Sequence, residues 1–193
     1  MKQIYEKIWN LALPYQDKRD DDEHAETVLH FALELLKHEK GDESVIIPAA
    51  ILHDIGWSPL PKKERMFIFG KVSHRDKIKM QKKHEEIGTK MAREILEKVN
   101  YDSKLINEIL EIISQHDTRQ GFISKNEGIM RDADKLWRFS KTGFCTDLKR
   151  RDYSPSEWRE FLAKQIDSPN YFYSETGKKI ARRELEKRKE EFK

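Results

Sequence analysis

Apolar residues recur at helical spacing along almost the whole chain. Between residues 23 and 38 they form one stripe that includes Val28, Leu29 and Leu35, which predicts an amphipathic helix. The same periodicity predicts further helices and one polar loop. These helices are His84–Val99, Asp102 or Ser103 to about His116, about 127–140, Ser154 to about Ile166, and Ser174–Lys193, with the loop at 117–126. The helix at Ser154 is predicted to begin with a capping box formed by Ser154 and Glu157.

The segment 44–55 is apolar nearly all round, so we expect it to form a buried central helix. Ser44 can cap this helix, Gly56 ends it, and Pro48 is tolerable only near its first turn. Residues 57–82 are irregular and basic, which predicts a long loop with room for a short helix. No segment has a clear strand pattern. The sequence therefore predicts an all-α fold, a compact bundle of roughly six to eight helices.

Composition narrows the classes of protein to which the chain can belong. Its 193 residues fit one domain, 1–193, and the net charge of +3 is too small and too dispersed to favour a nucleic acid or a membrane as partner. Glutamates interleave with the basic residues of the last predicted helix, which also argues against nucleic-acid binding. The single cysteine, Cys145, excludes an internal disulfide and a cysteine zinc site. We expect a cytoplasmic protein, monomeric or homodimeric.

Six polar residues interrupt the apolar stripes of five predicted segments. His53 and Asp54 end the most apolar helix, where a buried carboxylate is costly unless it is paired. Any one of the six could be a core residue satisfied by hydrogen bonds, but one metal cluster would explain them all. Imidazole and carboxylate ligands without thiolate suit iron, manganese, zinc, nickel, cobalt or magnesium. The other four residues are His24, His84, His116 and Asp134.

Three stretches resemble the HD superfamily of metal-dependent phosphohydrolases. DDEHAETVLHFALEL resembles its first-histidine helix, IPAAILHDIGW its His-Asp helix, and RDADKLWRF its last ligand helix. The resemblance spans about residues 19–140 and leaves 150–193 as a C-terminal helical extension. It implies that one metal ion is held by His24, His53, Asp54 and Asp134.

Two further stretches resemble the family members that bind two metal ions. KKHEEIGTKMAREIL and IISQHDT place His84 and His116 where those members carry two extra histidines. The resemblance implies that Asp54 bridges to a second metal ion held by these two residues. Cyclic-dinucleotide phosphodiesterases and symmetrical dinucleoside tetraphosphate hydrolases have this pattern. The chain lacks the Gly-Tyr-Pro signature of the former, which argues against a cyclic dinucleotide as substrate.

The function that this resemblance implies is hydrolysis of a nucleotide or another small phosphate ester, as a phosphomonoesterase or phosphodiesterase. A metal-bound hydroxide, next to the bridging Asp54, would be the nucleophile. Positive side chains would neutralise the developing charge on the phosphoryl group. We expect Arg119 and Lys135 to do so as catalytic and substrate-binding residues, with Arg138 as a further substrate-binding residue.

Two alternatives stay open at this stage. The same six ligands resemble those of HD-type di-iron oxygenases, so the ligands alone do not separate a hydrolase from an oxygenase. A catalytically silent sensor or scaffold is the third reading, although such a protein would be expected to lose ligands. We favour the hydrolase because it is the commoner class.

Overall fold

The computed structural model describes residues 1–151 and 153–192, and every regular element within them is helical. The all-α prediction is confirmed. The described residues form ten α-helices, slightly more than predicted, because the segments 3–12 and 141–150 are also helical. The helices are α1 Gln3–Ala12, α2 His24–Leu35, α3 Glu43–Leu52, α4 Lys62–Phe67, α5 His74–Lys98, α6 Ser103–Ile113, α7 Lys125–Trp137, α8 Lys141–Arg150, α9 Pro155–Ile166 and α10 Glu175–Glu191.

Helix α3 lies at the centre of the bundle, as its apolar sequence predicts. Every residue from Val45 to Leu52 is buried, and α3 packs against α1, α2, α6 and α7. The cap is Asp42 instead of Ser44, because the Asp42 carboxylate accepts a hydrogen bond from the Ser44 N–H at 2.8 Å. Two short 3₁₀ turns, Leu13–Tyr15 and Ile55–Trp57, follow α1 and α3.

Pro48 lies inside α3, deeper than its expected place near the first turn. A proline has no N–H, so it cannot bond to the carbonyl four residues earlier, which belongs to Ser44. The Tyr101 hydroxyl donates to that carbonyl at 2.6 Å. A side chain from the connection between α5 and α6 thus satisfies the group that the proline leaves free, and the helix continues through it.

Helix α5 begins at His74, ten residues before the predicted start at His84. Ser73 caps it by accepting a hydrogen bond from the Asp76 N–H at 3.1 Å. The first turn of α5 is mostly exposed, so its sequence has no apolar stripe to reveal it. The predicted loop 57–82 is therefore wrong from residue 74 onward, while α4 is the short helix for which it had room.

The C-terminal helices α9 and α10 contact each other, and α10 also packs against α7. The predicted capping box at Ser154 is confirmed, with Glu157 as its second member. The predicted end of the last helix, at Lys193, lies outside the described residues. Within the described part of the chain, no helix combines the length and the apolar character needed to cross a membrane.

Candidate metal centre

Five segments converge on one cluster at the end of the buried helix α3. His24 is the first residue of α2, and His53 caps the C-terminal end of α3. Asp54 follows directly and immediately precedes the 3₁₀ turn. The four histidines of the cluster are almost fully buried, and its two aspartates are partly exposed. The remaining members are His84 in α5, His116 three residues after α6, and Asp134 in α7.

One half of the cluster contains two imidazoles and two carboxylates. The Nε2 atoms of His24 and His53 lie 3.1 Å apart. Asp134 Oδ1 lies 3.6 Å from His24 Nε2 and 3.4 Å from His53 Nε2. Asp54 Oδ2 lies 3.2 Å from His24 Nε2. These four side chains are the residues predicted to hold the first metal ion.

The other half of the cluster uses the second oxygen of Asp54. Asp54 Oδ1 lies 3.5 Å from His84 Nε2 and 3.4 Å from His116 Nε2, and the two imidazole nitrogens are 3.4 Å apart. The Asp54 carboxylate thus directs one oxygen to each pair of histidines, as a bridging ligand would. Asp117 Oδ2 also approaches this half, 3.8 Å from His84 Nε2.

Backbone carbonyls fix the orientation of two of the imidazoles. His53 Nδ1 lies 2.9 Å from the Ala50 carbonyl oxygen, and His116 Nδ1 lies 2.8 Å from that of Ile113. A carbonyl oxygen only accepts, so Nδ1 carries the hydrogen and the Nε2 lone pair of the neutral ring points into the cluster. Lone pairs this close to one another and to carboxylates repel unless a proton or a metal ion lies between them. The donor set therefore fits divalent metal ions.

Trp57 holds parts of the cluster in place. Its indole N–H donates to Asp54 Oδ1 at 3.1 Å. Its ring stacks on the His84 imidazole, with centroids 4.0 Å apart and planes inclined by 13°. Trp57 is 1% exposed, so it orients two candidate ligands from within the core and does not face a substrate.

The electrostatic surroundings keep both predicted aspartate ligands ionised. Burial raises the pKa of the Asp54 carboxyl, but the Arg19 guanidinium and the His53 imidazole outweigh it, so its pKa lies well below the usual range. Burial also opposes ionisation of Asp134, yet the hydrogen bond and the charge of His53 lower its pKa. Two ionised carboxylates in one buried cluster provide the negative charge that a cation site needs.

Two neighbouring groups in the second half of the cluster also have shifted pKa values. Burial lowers the pKa of His116, but its hydrogen bond to Asp54 and the charge of Asp117 raise it to about 10. Burial raises the pKa of Asp117, and the charges of His116 and His84 lower it below its usual value. A proton and a metal ion would therefore compete for His116 Nε2.

A pocket opens over the cluster and is bordered by four basic side chains. Asp54, Asp134 and Arg138, a predicted substrate-binding residue, line it. Arg19 also lines it, and its guanidinium contacts Asp54 Oδ2. Lys77 and Arg151 complete the basic border.

Arg119 and Lys135, the other two predicted substrate-binding residues, do not line this pocket. Arg119 forms ion pairs with Glu111 and with Glu127, whose carboxylate is fully buried. Lys135 donates to the Tyr171 carbonyl oxygen. Successive side chains of an α-helix point about 100° apart around its axis. Because Asp134 points into the pocket, the adjacent Lys135 points away from it. Neither Arg119 nor Lys135 therefore borders the pocket over the cluster.

Sequence reasoning missed Arg19, Lys77, Arg151 and Asp117. Asp117 directly follows His116, and Arg19 lies five residues before His24, so their closeness in sequence to candidate ligands was the available signal. Lys77 fell in the predicted loop and lies instead in the first turn of α5. One basic residue among 38 lysines and arginines gives no sign of which pocket it will face.

The HD domain family model matches residues 21–138, more than half of the chain. This chain belongs to the HD domain family. It is also similar in fold to the crystal structure of a predicted HD superfamily hydrolase from an uncultured Thermotogales bacterium, with a TM-score of 0.61 and 23% sequence identity. That similarity covers 96% of this chain and 87% of the other. Comparison with curated proteins found no match.

Proposed function

We propose that this HD-domain protein is a metal-dependent phosphohydrolase that hydrolyses a small phosphate ester, such as a nucleotide, with two divalent cations. The observation that carries the proposal is the Asp54 carboxylate. Its Oδ2 faces the pair of His24 and His53, and its Oδ1 faces the pair of His84 and His116. A carboxylate shared in this way is the expected bridge of a two-metal hydrolytic centre.

The proposed first cation would be held by His24, His53, Asp134 and Asp54 Oδ2. Asp54 Oδ1, His84 and His116 would contribute to the second. Divalent cations in these positions would supply an ionised water near neutral pH and neutralise phosphoryl oxygens. Iron, manganese, zinc, nickel, cobalt and magnesium all accept imidazole or carboxylate donors.

The basic border of the pocket supports a phosphate ester as the substrate. Four basic side chains line the same pocket as Asp54 and Asp134, namely Arg138, Arg19, Lys77 and Arg151. Guanidinium groups donate paired hydrogen bonds that match phosphate oxygens, and an ammonium group adds a compact charge. We assign substrate binding to these four side chains, in place of Arg119 and Lys135. An oxygenase acting on an uncharged substrate would have no need of four positively charged side chains at this pocket.

The test measures metal content, phosphate release and oxygen uptake on the same preparations. Protein purified without chelators and loaded with Mn²⁺ or Fe²⁺ is assayed against a panel of nucleotides and sugar phosphates. We expect about two metal ions per chain by elemental analysis and phosphate release without oxygen consumption. Oxygen uptake coupled to substrate loss, with no phosphate released, would refute the hydrolase and favour the oxygenase.

A pair of matched variants tests the bridge itself. Asp54→Asn should abolish binding of both cations and the activity, because one side chain serves both halves of the cluster. Asp22→Asn removes an exposed carboxylate close in sequence to His24 and should leave both unchanged. Full metal content in Asp54→Asn would contradict the assignment of Asp54 as the bridge.

A further inference from the structure

Asp117 has a carboxylate beside the second half of the metal cluster. Its Oδ2 lies 3.8 Å from His84 Nε2. One ligand atom from each of Asp117, His84 and His116 lies within 4.8 Å of the other two. The carboxylate receives no hydrogen bond from the residues that the structure describes. It borders the same pocket as Asp54 and Asp134. An ionised carboxylate at this place has free oxygens facing the proposed second cation.

With Asp117 included, the two halves of the cluster have the same composition. The first half contains two imidazoles, the terminal carboxylate of Asp134 and one oxygen of Asp54. The second half would contain two imidazoles, the terminal carboxylate of Asp117 and the other oxygen of Asp54. The exposed fractions of the two terminal carboxylates are also similar, 24% for Asp134 and 27% for Asp117. Without Asp117, the second half has one donor group fewer than the first.

Glu85 fixes the backbone on which Asp117 is mounted. Its Oε1 accepts hydrogen bonds from the N–H groups of Asp117 at 2.9 Å and Thr118 at 3.1 Å. Its Oε2 accepts from the Thr118 hydroxyl at 2.7 Å. Glu85 is 1% exposed, and a carboxylate so buried is costly unless its oxygens are satisfied. Here both oxygens are used to hold the turn that follows His116.

The position of Glu85 in the chain makes this contact specific to the second half of the cluster. Glu85 directly follows His84 in α5, and the turn it binds directly follows His116. One carboxylate therefore ties together the two segments that provide the second pair of imidazoles. Hydrogen bonds of this kind hold the groups around a metal site in the geometry that binding needs.

We propose that Asp117 is a terminal ligand of the second divalent cation and that Glu85 is the residue that positions it. This inference rests on the two-cation centre proposed above and adds two residues to it. Asp117 and Asp134 then have matching roles on opposite sides of the shared Asp54.

The first experiment measures Mn²⁺ binding to the full chain by isothermal titration, with electron paramagnetic resonance of the loaded protein. Wild type should bind two ions with a magnetically coupled spectrum. Asp117→Asn should still bind the first ion, and its affinity for the second should fall by more than about 100-fold. That is a larger change than substitution of a residue that only orients a ligand usually causes. Its spectrum should become that of isolated Mn²⁺ ions. Asp22→Asn, an exposed carboxylate, serves as the control and should behave as wild type.

The results separate this inference from the proposal on which it rests. Two coupled ions in Asp117→Asn, with wild-type affinity, would overturn the role of Asp117 and leave the two-cation centre intact. A single ion in wild type would overturn the two-cation centre, and this inference with it. The variant should fold, because the substitution keeps the backbone N–H that donates to Glu85. An unchanged thermal unfolding midpoint of the metal-free protein checks this.

The second experiment tests Glu85 through a pair of variants. Glu85→Ala removes all three acceptor contacts and should weaken the second Mn²⁺ site by about 10- to 100-fold, while the first site keeps its affinity. Glu85→Gln retains an acceptor for the two backbone N–H groups and can donate to the Thr118 hydroxyl, so it should bind both ions nearly as wild type does. Equal loss of both ions in Glu85→Ala, or equal loss in the two variants, would overturn the positioning role.

Discussion

The close approach of Gly56 to helix α5 provides the most direct test of how the fold supports the metal centre. Gly56 lies in the 3₁₀ turn that follows His53 and Asp54, and it packs against α5 at Gly88. A Cβ atom at Gly56 would lie 2.0 Å from the His84 carbonyl oxygen and 2.5 Å from the Gly88 nitrogen. Both neighbours are backbone atoms, so no side-chain rotation can make room. The substitution Gly56→Ala must therefore push the turn and the helix apart.

The magnitude follows from these distances. Favourable contacts between non-bonded carbon atoms lie at about 3.5 Å or more, so the two backbones must separate by more than about 1 Å. Overpacking of a core typically costs about 1–3 kcal/mol, and a clash with backbone belongs at the upper end. We expect Gly56→Ala to lower the free energy of unfolding by about 3 kcal/mol. For a chain of this size, that corresponds to a fall of about 6–12 °C in the thermal midpoint.

Two other glycines provide graded controls. A Cβ at Gly88 would meet the Gly56 nitrogen at 3.3 Å, a tight contact that the gain in helix propensity of about 1 kcal/mol would offset. A Cβ at Gly70 would meet only the Phe67 carbonyl oxygen at 3.5 Å, an ordinary contact. Gly88→Ala should thus change the stability by less than about 1 kcal/mol, and Gly70→Ala by less than about 0.5 kcal/mol.

The assay is urea and thermal unfolding of the three variants, followed by Mn²⁺ titration. Because the displaced segment of α5 contains His84, Gly56→Ala should also weaken the binding of the proposed second cation more than that of the first. Equal stability of Gly56→Ala and Gly70→Ala would refute the packing argument. Unaltered binding of both cations in a destabilised Gly56→Ala would refute the link between this contact and the metal centre.

The remaining predictions concern stability, pH and the substrate pocket. Asp132→Ala removes the acceptor for the Ser174 N–H at 2.9 Å and for the Ser174 hydroxyl at 2.7 Å. Urea unfolding should show that the free energy of unfolding falls by about 2–4 kcal/mol, and a fall below about 1 kcal/mol would contradict this. The hydrogen bond from Arg183 lowers the pKa of Glu34, so this pair stabilises the fold above the ordinary glutamate pKa of 4.5, and its contribution disappears as the pH falls through the lowered value. Arg183→Gln should therefore lower the free energy of unfolding by about 0.5–1 kcal/mol near neutral pH, and the variant and the wild type should become equally stable in acid. A difference in stability that does not change with pH would count against the ion pair. Arg138→Gln should lower kcat/KM for a phosphate ester by about tenfold to hundredfold, whereas Arg119→Gln should change it less than about threefold. A larger effect of Arg119→Gln than of Arg138→Gln would indicate that Arg119 binds the substrate.

Much of the helical architecture could be predicted because it depends on neighbours in the chain. The capping box at Ser154 and the apolar run of α3 each depend on residues that are close together in the chain, so both can be recognised in the sequence. The start of α5 at His74 was missed because its first turn is mostly exposed and has no apolar stripe. Pro48 was expected near the first turn of α3, yet it lies deeper, because Tyr101 satisfies the carbonyl of Ser44 from 57 residues away. Such a partner cannot be found by periodicity.

The six candidate metal ligands, which the structure brings together in one cluster, could be predicted because each is a polar residue on an apolar stripe, within stretches that resemble the HD family. By itself, the sequence determined the all-α class and the family, and it predicted these six candidate ligands. Only the tertiary structure decided how the oxygens of Asp54 are shared, which basic side chains border the pocket, and that Asp117 faces His84. Arg19 reaches Asp54 across 35 residues, and Glu85 reaches Asp117 across 32. Contacts of this kind depend on how helices pack and on the direction each side chain takes, and a linear pattern of residue types contains neither.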